Sequence, residues 1–273
     1  MKLGLIGHPI KHSKSPWIHQ QFLDQTGIKG SYQLIEIEPN QFEENIKKLK
    51  QTDWDGFNVT IPYKEKIIPY LDEISSDAEQ IGAVNTVVCR NQRWYGYNTD
   101  GLGLVTALKD NFPGLFTGGR SALILGAGGA SRGIYYALIN ENFSEVAIAN
   151  RTISRAENLL TLNQGQIKSY ALSFKEAEER LSQYDLIVQT TSVGMVPVTD
   201  QQVIDLTHLK LGAVVSDIVY QPFWTAILKD AATRGGKVHH GHEMLVYQAK
   251  HAFELWSGEK VDVKSILSQF NCQ

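Results

Sequence analysis

Four groups of residues in this 273-residue chain have types and spacings that could do chemistry. The first is Ser121-Ala-Leu-Ile-Leu-Gly126-Ala127-Gly128-Gly129-Ala130-Ser131-Arg132, an apolar run broken by clustered glycines. A helical pattern with Ile134, Tyr135, Ala137 and Leu138 opens at Ser131. A buried strand, a tight glycine turn and a helix N-terminus, in that order, suit a dinucleotide pyrophosphate. Gly126 can take a backbone conformation closed to other residues, and Gly128 lets the main chain approach phosphates without a Cβ in the way. The N–H groups of the new helix then face the negative charge. Ser131 holds the usual third glycine position, beside the small Ala130. The alternative is a plain strand-to-helix turn.

The second group, Asn150-Arg151-Thr152-Ile-Ser-Arg155, follows the next strand about 20 residues on. An NAD site normally has a carboxylate there for the ribose 2′-hydroxyl. Two arginines suit a 2′-phosphate instead, which points to NADP. The bland alternative is a solvated arginine pair on the first turn of a helix. The third group, Ser13-Lys14-Ser15 before Pro16, offers two hydroxyls to a carboxylate near a helix N-terminus. On spacing alone, capping by Ser15 with Pro16 as the first helical residue is the commoner use. The fourth is Lys64, just past a strand, with Asp100 at the end of Tyr97-Asn98-Thr99. A lysine and an aspartate near one cleft could share a proton with a substrate hydroxyl, although two such residues are more often surface charges. His239, His240 and His242 lack the spacing of a helical metal pair, so no metal site is expected. They read as the end of a strand and the start of a helix.

These groups need an α/β frame. With 42% hydrophobic and 20% charged residues, the composition is that of a soluble globular protein, long enough for two modest domains. A net charge of -3 gives no reason to expect nucleic acid or an anionic membrane as partner. Cys89 and Cys272 are far apart and outside any paired-spacing motif. With no signal-like or membrane-spanning run, a cytoplasmic location is expected. Strand patterns at Leu3–Ile6, Tyr32–Ile37, Gly56–Thr60, Ala83–Cys89 and Arg93–Tyr97 alternate with helices opened by Pro16, Pro39 and Lys64. The loops at 7–15, 60–64, 85 and 97–100 fall at strand ends. A helix over Gly101–Asn111 is broken by Phe112-Pro113-Gly114. Regular βαβ alternation follows, with strands at Glu145–Asn150, Asp185–Thr191, Ala213–Ile218 and Lys237–His239 and helices from Ser154 and after Pro222. This predicts a parallel sheet with helices on both faces. Amphipathic Met244–Trp256 and a last helix over Val261–Phe270 end the chain. Trp54, Trp94 and Trp256 read as packing residues. Two domains around a cleft are expected, where ligands usually sit.

Taken together, the motifs resemble the shikimate dehydrogenase family over essentially the whole length. Asn58-Val59-Thr60-Ile61-Pro62-Tyr63-Lys64 is its most characteristic segment, joined by Gly82-Ala83-Val84-Asn85-Thr86, Asn98-Thr99-Asp100, Thr190-Thr-Ser-Val-Gly-Met195, Asp217-Ile218-Val219-Tyr220 and Gly241-His-Glu-Met-Leu-Val-Tyr-Gln248. The resemblance implies an α/β fold of two domains. Residues 1–102 would be an N-terminal substrate-binding and catalytic domain with a mixed sheet, and 103–240 a Rossmann-like NADP-binding domain. Residues 241–273 would be C-terminal helices returning to the N-terminal domain. It implies NADPH-dependent, reversible reduction of 3-dehydroshikimate to shikimate. Lys64 and Asp100 would be catalytic, and Ser13, Ser15, Thr60, Asn85, Tyr220 and Gln248 would bind substrate. Gly126, Ala127, Gly128, Gly129, Ala130, Asn150, Arg151, Thr152, Arg155, Ile218 and Gly241 would bind NADP. His240, His242 and Glu243 are less typical flanks. Small-molecule partners only, and a monomer or homodimer, are expected. A quinate/shikimate dehydrogenase of broader range is the nearest rival. A methylenetetrahydrofolate dehydrogenase leaves the serine loop unexplained, and a catalytically silent NADP sensor leaves Lys64 and Asp100 unexplained.

Overall fold

Alternation of short apolar runs with helical patterns builds two six-stranded sheets. The computed structural model describes residues 1–270, so Cys272 lies outside the described residues. One unit comprises Met1–Asp100 and the segment from Val246 onward; the other is Gly101–Leu245. The second border falls inside a helix, where the sequence reading put it at 240/241.

The first unit contains β1 (Lys2–Gly7), α1 (Ser15–Thr26), β2 (Ser31–Glu36), α2 (Phe42–Lys50), β3 (Gly56–Val59), β4 (Glu73–Ile74), α3 (Ser76–Ile81), β5 (Thr86–Arg90) and β6 (Arg93–Tyr97). The sheet order is β2-β1-β3-β5-β6-β4. β2, β1 and β3 are parallel, β5 is antiparallel to β3 and β6, and β4 pairs parallel to β6, so the sheet is mixed. The β5–β6 hairpin turns through Asn91 and Gln92, both at positive φ (52° and 62°), the geometry of a two-residue hairpin turn. One core gathers Ile6, Phe57 and Val59 with Phe42, Ile46 and Leu49 of α2. Trp94 stacks edge-on to Phe57 and is buried, a packing residue.

Lys64 does not begin a helix. The segment after Pro62 runs as turns into a short 3₁₀ helix at Ile68–Tyr70. Pro69 explains this, because in a helix its ring would meet the carbonyl of Glu65 and it has no N–H to give. The segment is held instead by the Val84 N–H, which donates to the Lys64 carbonyl at 2.8 Å.

The second unit takes most of α4 (Asp100–Asn111) and then β7 (Arg120–Leu125), α5 (Gly129–Ile139), β8 (Phe143–Ala149), α6 (Ile153–Leu160), β9 (Lys168–Leu172), α7 (Phe174–Glu179), β10 (Leu186–Gln189), β11 (Val214–Asp217), α8 (Ala226–Thr233) and β12 (Lys237–His239). Its sheet is parallel throughout, ordered β12-β11-β10-β7-β8-β9. Numbered from β7, this is the 3-2-1-4-5-6 order of a dinucleotide-binding sheet. Period-two alternation covers both faces. Ala122 and Ile124 join one core with Ile134 and Leu138, while Leu123 and Leu125 join another with Ile227 and Leu228.

The chain ends with α9 (Gly241–Ser257) and α10 (Lys264–Phe270). From Val246 on, these helices belong to the first unit. Trp256 donates from Nε1 to the Val87 carbonyl at 2.9 Å, and Phe253 packs on Phe22 with centroids 5.5 Å apart. Gln25 of α1 bonds both the N–H and the carbonyl of Asp262. No helix among the described residues is long and apolar enough to cross a membrane.

Candidate active site

In the first unit, residues far apart in sequence converge at the ends of β3 and β5. Lys64 Nζ donates to Asp100 Oδ2 at 2.5 Å, with side chains only 15% and 8% exposed. The Asn85 amide clamps this pair. Its Nδ2 donates to Asp100 Oδ1 at 2.8 Å and to Thr99 Oγ1 at 3.0 Å, with Gln248 Oε1 at 3.5 Å. Its Oδ1 accepts from Thr99 N–H at 2.8 Å. Asp100 opens α4, where a carboxylate is favoured by the helix dipole. A charge pair this sheltered from water acts more strongly on a reacting group than a surface pair does.

Thr60 follows β3, with its methyl packed so close to Gly7 that a Cβ there would lie 2.4 Å away. Among the described residues its hydroxyl has no hydrogen-bond partner. Ser13 donates to Ser15 Oγ at 3.1 Å and accepts from the Ser15 N–H at 3.2 Å. The N-cap of α1 is Lys14, without a side-chain capping bond. Ser15 is therefore not the cap expected from sequence. Lys14 already has helical dihedrals (φ -83°, ψ -5°), and it is Ser13 that makes a cap-like bond, to the Ser15 N–H. Ser15 lies beside Tyr32, where its hydrogen bond offsets part of the rise that burial gives the phenol pKa.

In the second unit the glycine loop joins β7 to α5. Gly126 has φ +113°, and an added Cβ would lie 2.7 Å from Thr190 Oγ1. Both facts restrict this position to glycine. At Gly128 and Gly129 a Cβ would meet no protein atom within 4 Å. Packing does not require glycine there, whereas close approach of a ligand would. Ser131 was not assigned from sequence and proves central. Its Oγ accepts from the Gly128 N–H at 3.0 Å and lies 2.7 Å from Thr190 Oγ1, which donates to the Leu125 carbonyl. The loop is thus fastened to the end of β10. α5 opens at Gly129, two residues before the predicted Ser131.

Asn150 ends the next strand and donates to the Thr152 carbonyl at 2.8 Å. Arg151 and Arg155 are exposed and in no ion pair among the described residues. Their charges are free for an anion. Ala127 and Ala130 flank the glycines, half-buried against the α5 core. The fit to a dinucleotide phosphate chain therefore rests on open glycines, uncompensated arginines and a helix N-terminus.

Asp217, at the end of β11, holds the next loop. Thr225 donates to it at 2.7 Å, Val219 N–H at 2.9 Å and Gln189 at 3.1 Å. Burial nonetheless raises its pKa to about 6, those hydrogen bonds offsetting only part. This loop carries Ile218 and Tyr220, and burial raises the Tyr220 phenol pKa. A Cβ at Gly241 would lie 2.5–2.6 Å from Ile218 and Val219 backbone, so glycine there permits close packing and brings 218 and 241 together. The neighbouring His240 stacks on Phe223 at 4.1 Å and its Nδ1 meets the Phe223 carbonyl at 2.9 Å. His239 bonds Ser216 through Nδ1 at 2.8 Å. Among the described residues no group of three or more His, Cys, Asp or Glu could hold a metal ion. A cavity of about 280 Å³ lies at the other ends of the strands, lined by Arg120, Asp185 and Lys237 among others, and includes none of these residues.

Four further residues whose roles the sequence did not mark share one signal. Asn58, Gln189, Ser216 and Asp217 are polar residues inside otherwise apolar strands, and such groups stay buried only when hydrogen-bonded. Comparison with known proteins agrees with the motifs. Residues 5–87 match the shikimate dehydrogenase substrate binding domain, 109–219 the shikimate / quinate 5-dehydrogenase family, and 241–269 the shikimate 5'-dehydrogenase C-terminal domain. The chain is 48% identical to the shikimate dehydrogenase (NADP(+)) of Oceanobacillus iheyensis, over 97% of this chain and 95% of that one. For the namesake of Geobacillus kaustophilus the identity is 44%, over 95% and 94%. The solved structure of shikimate 5-dehydrogenase from Thermus thermophilus in complex with NADP(H) and shikimate is 32% identical, with a TM-score of 0.88, covering 100% of this chain and 99% of that one. With domain matches in this order and identity of this extent, the chain belongs to the shikimate dehydrogenase family.

Proposed function

We propose that this protein catalyses the reversible, NADPH-dependent reduction of 3-dehydroshikimate to shikimate, a step of aromatic amino-acid biosynthesis. The observation that carries the reading is the sheltered Lys64–Asp100 pair clamped by Asn85, in a unit whose family match is to substrate binding. Arg151 and Arg155 would hold the 2′-phosphate of NADP, and the 126–130 loop its pyrophosphate, with Asn150, Thr152, Ile218 and Gly241 as further contacts. When bound, the cofactor supplies the hydride.

The protein's own part is positioning and proton transfer. Ser13 and Ser15, whose hydroxyls lie 3.1 Å apart before α1, take the substrate carboxylate. Thr60, Asn85, Tyr220 and Gln248 orient the ring hydroxyls. Lys64 Nζ holds the proton that the carbonyl oxygen takes up as it becomes a hydroxyl, and Asp100 keeps that ammonium aimed. In the direction of shikimate oxidation Lys64 takes the proton back. The reading also implies a cytoplasmic enzyme, active as a monomer or homodimer, with no nucleic acid or membrane partner.

The test is absorbance at the NADPH band, with shikimate or quinate paired with NADP or NAD. Rapid reduction of NADP by shikimate, and little by the other pairings, is the expected result. Comparable rates with quinate or NAD would move the protein to the broader relatives. No reduction in any pairing, despite NADP binding, would sink the catalytic reading. Replacing both Arg151 and Arg155 by Ala should raise the KM for NADP and leave that for NAD unchanged.

A further inference from the structure

Asn58 and Thr86 face each other across β3 and β5 in the middle of the first sheet, 5% and 0% exposed. A buried amide and hydroxyl are costly there unless every polar atom is bonded. Their bonds form a directed run. Tyr32 Oη donates to Asn58 Oδ1 at 2.8 Å. Asn58 Nδ2 donates to the Asn85 carbonyl at 3.1 Å and to Thr86 Oγ1 at 3.0 Å. Thr86 Oγ1 donates to Asn85 Oδ1 at 2.9 Å, and Asn85 Nδ2 donates to Asp100 Oδ1 at 2.8 Å.

The partners set these directions. The Asn85 carbonyl only accepts, so the Asn58 amide must turn its NH₂ that way and its oxygen to Tyr32. Thr86, already accepting from Asn58, has one hydrogen, and Asn85 Oδ1 at 2.9 Å is a nearer acceptor for it than Thr99 Oγ1 at 3.4 Å. A flipped Asn85 amide would set its oxygen against the Asp100 carboxylate and its NH₂ against the Thr99 N–H. Hydrogen bonds aligned in series polarise one another, so the run strengthens the last bond to Asp100.

We infer that Asn58 and Thr86 are positioning residues for proton transfer. Acting through the Asn85 side chain, they keep an N–H on Asp100 and so hold Asp100 in place for Lys64. The inference rests on the proposed function. Thr86→Val exchanges the hydroxyl for a methyl at nearly constant volume, whereas Thr86→Ser keeps the hydroxyl. The valine variant should lose about 10-fold in kcat/KM for shikimate, the scale of one buried hydrogen bond, while the serine variant stays within about twofold. The Kd for NADP, read by fluorescence titration, should not change. In an Asn85→Ala background the valine substitution should cost less than about twofold more, because the group it acts through is gone.

Three results overturn the inference: a valine variant as active as wild type, an equal loss in both backgrounds, or a serine variant as impaired as the valine one. Should Thr86→Val not fold, Thr86→Ala makes the same comparison. A wild type that oxidises no shikimate defeats the functional reading itself, whereas an active wild type matched by Thr86→Val defeats only this inference.

Discussion

Lys64 and Asp100 stand 36 residues apart and meet at 2.5 Å, in a setting where neither charge is well solvated. For the proposed reaction the amine must do more than bind, because the oxygen of the ketone gains a full proton as it is reduced. Lys64→Ala should therefore lower kcat by about 10²–10⁴, the range for losing a positioned general acid, with only a few-fold change in the KM for shikimate. Steady-state kinetics with saturating NADP separates the two effects. An unchanged kcat with a raised KM would make Lys64 a binding residue instead. Nothing in the spacing of these two residues marked them as partners. What made them legible was the motif around each, Asn58–Lys64 and Asn98–Asp100. Ser131 and Thr86 stand inside the motifs without showing a role there, because a buried hydroxyl that holds another residue in place has no spacing pattern of its own.

At the scale of elements, the glycine loop shows what a sequence can and cannot convey. Strand, turn and helix were legible from the apolar run and the glycines, and the parallel sheet followed from alternation. β9 was not, because Lys168-Ser-Tyr-Ala-Leu172 lies at a sheet edge with only Leu172 buried, and so lacks an apolar run. β4 has two residues and exists only through its pairing with β6. The helix expected at Lys64 failed because Pro69 stands too close. Within the loop, Gly126 and Gly128 have different reasons to be glycine. Gly126→Ala puts a Cβ at positive φ and against Thr190 Oγ1, so it should destabilise the protein by about 1–3 kcal/mol and displace the loop. Gly128→Ala meets no protein atom, so stability should change little while NADP affinity falls. Thermal melts paired with NADP titrations test the contrast. Equal melting losses for both variants would mean that a Cβ at Gly128 is as costly to the fold as one at Gly126.

For the whole molecule, buried ionisable groups set the acid limit. Burial holds the imidazoles of His19 and His239 down at about 3 and that of His242 at about 4, with neighbouring histidines adding to the effect on the last two. Asn58 offsets a little of this at His19, whose ring stacks on Tyr32 at 4.3 Å with neither nitrogen in hydrogen-bond geometry. In an unfolded chain all three titrate near 6.5. Below that pH the unfolded state takes up three protons that the folded state refuses, so stability falls as pH falls. Asp217 works in the opposite sense. Its folded pKa of about 6 exceeds the unfolded 3.8, so its carboxyl favours folding at low pH and loses that contribution as pH rises through 6. For these four groups the balance near pH 5 is about two protons, or roughly 3 kcal/mol per pH unit. His240 and His251, also held down by burial, add to it, and Glu243, held up by burial, opposes it. Urea unfolding at pH 7.5, 6.5, 5.5 and 5.0 should show this slope. His19→Phe keeps a flat ring on Tyr32 but cannot take up a proton when unfolded, so its slope should be shallower by about 1.4 kcal/mol per pH unit. Parallel curves would mean that His19 is protonated inside the fold, which its burial among Tyr32, Phe22, Phe253 and Trp256 argues against.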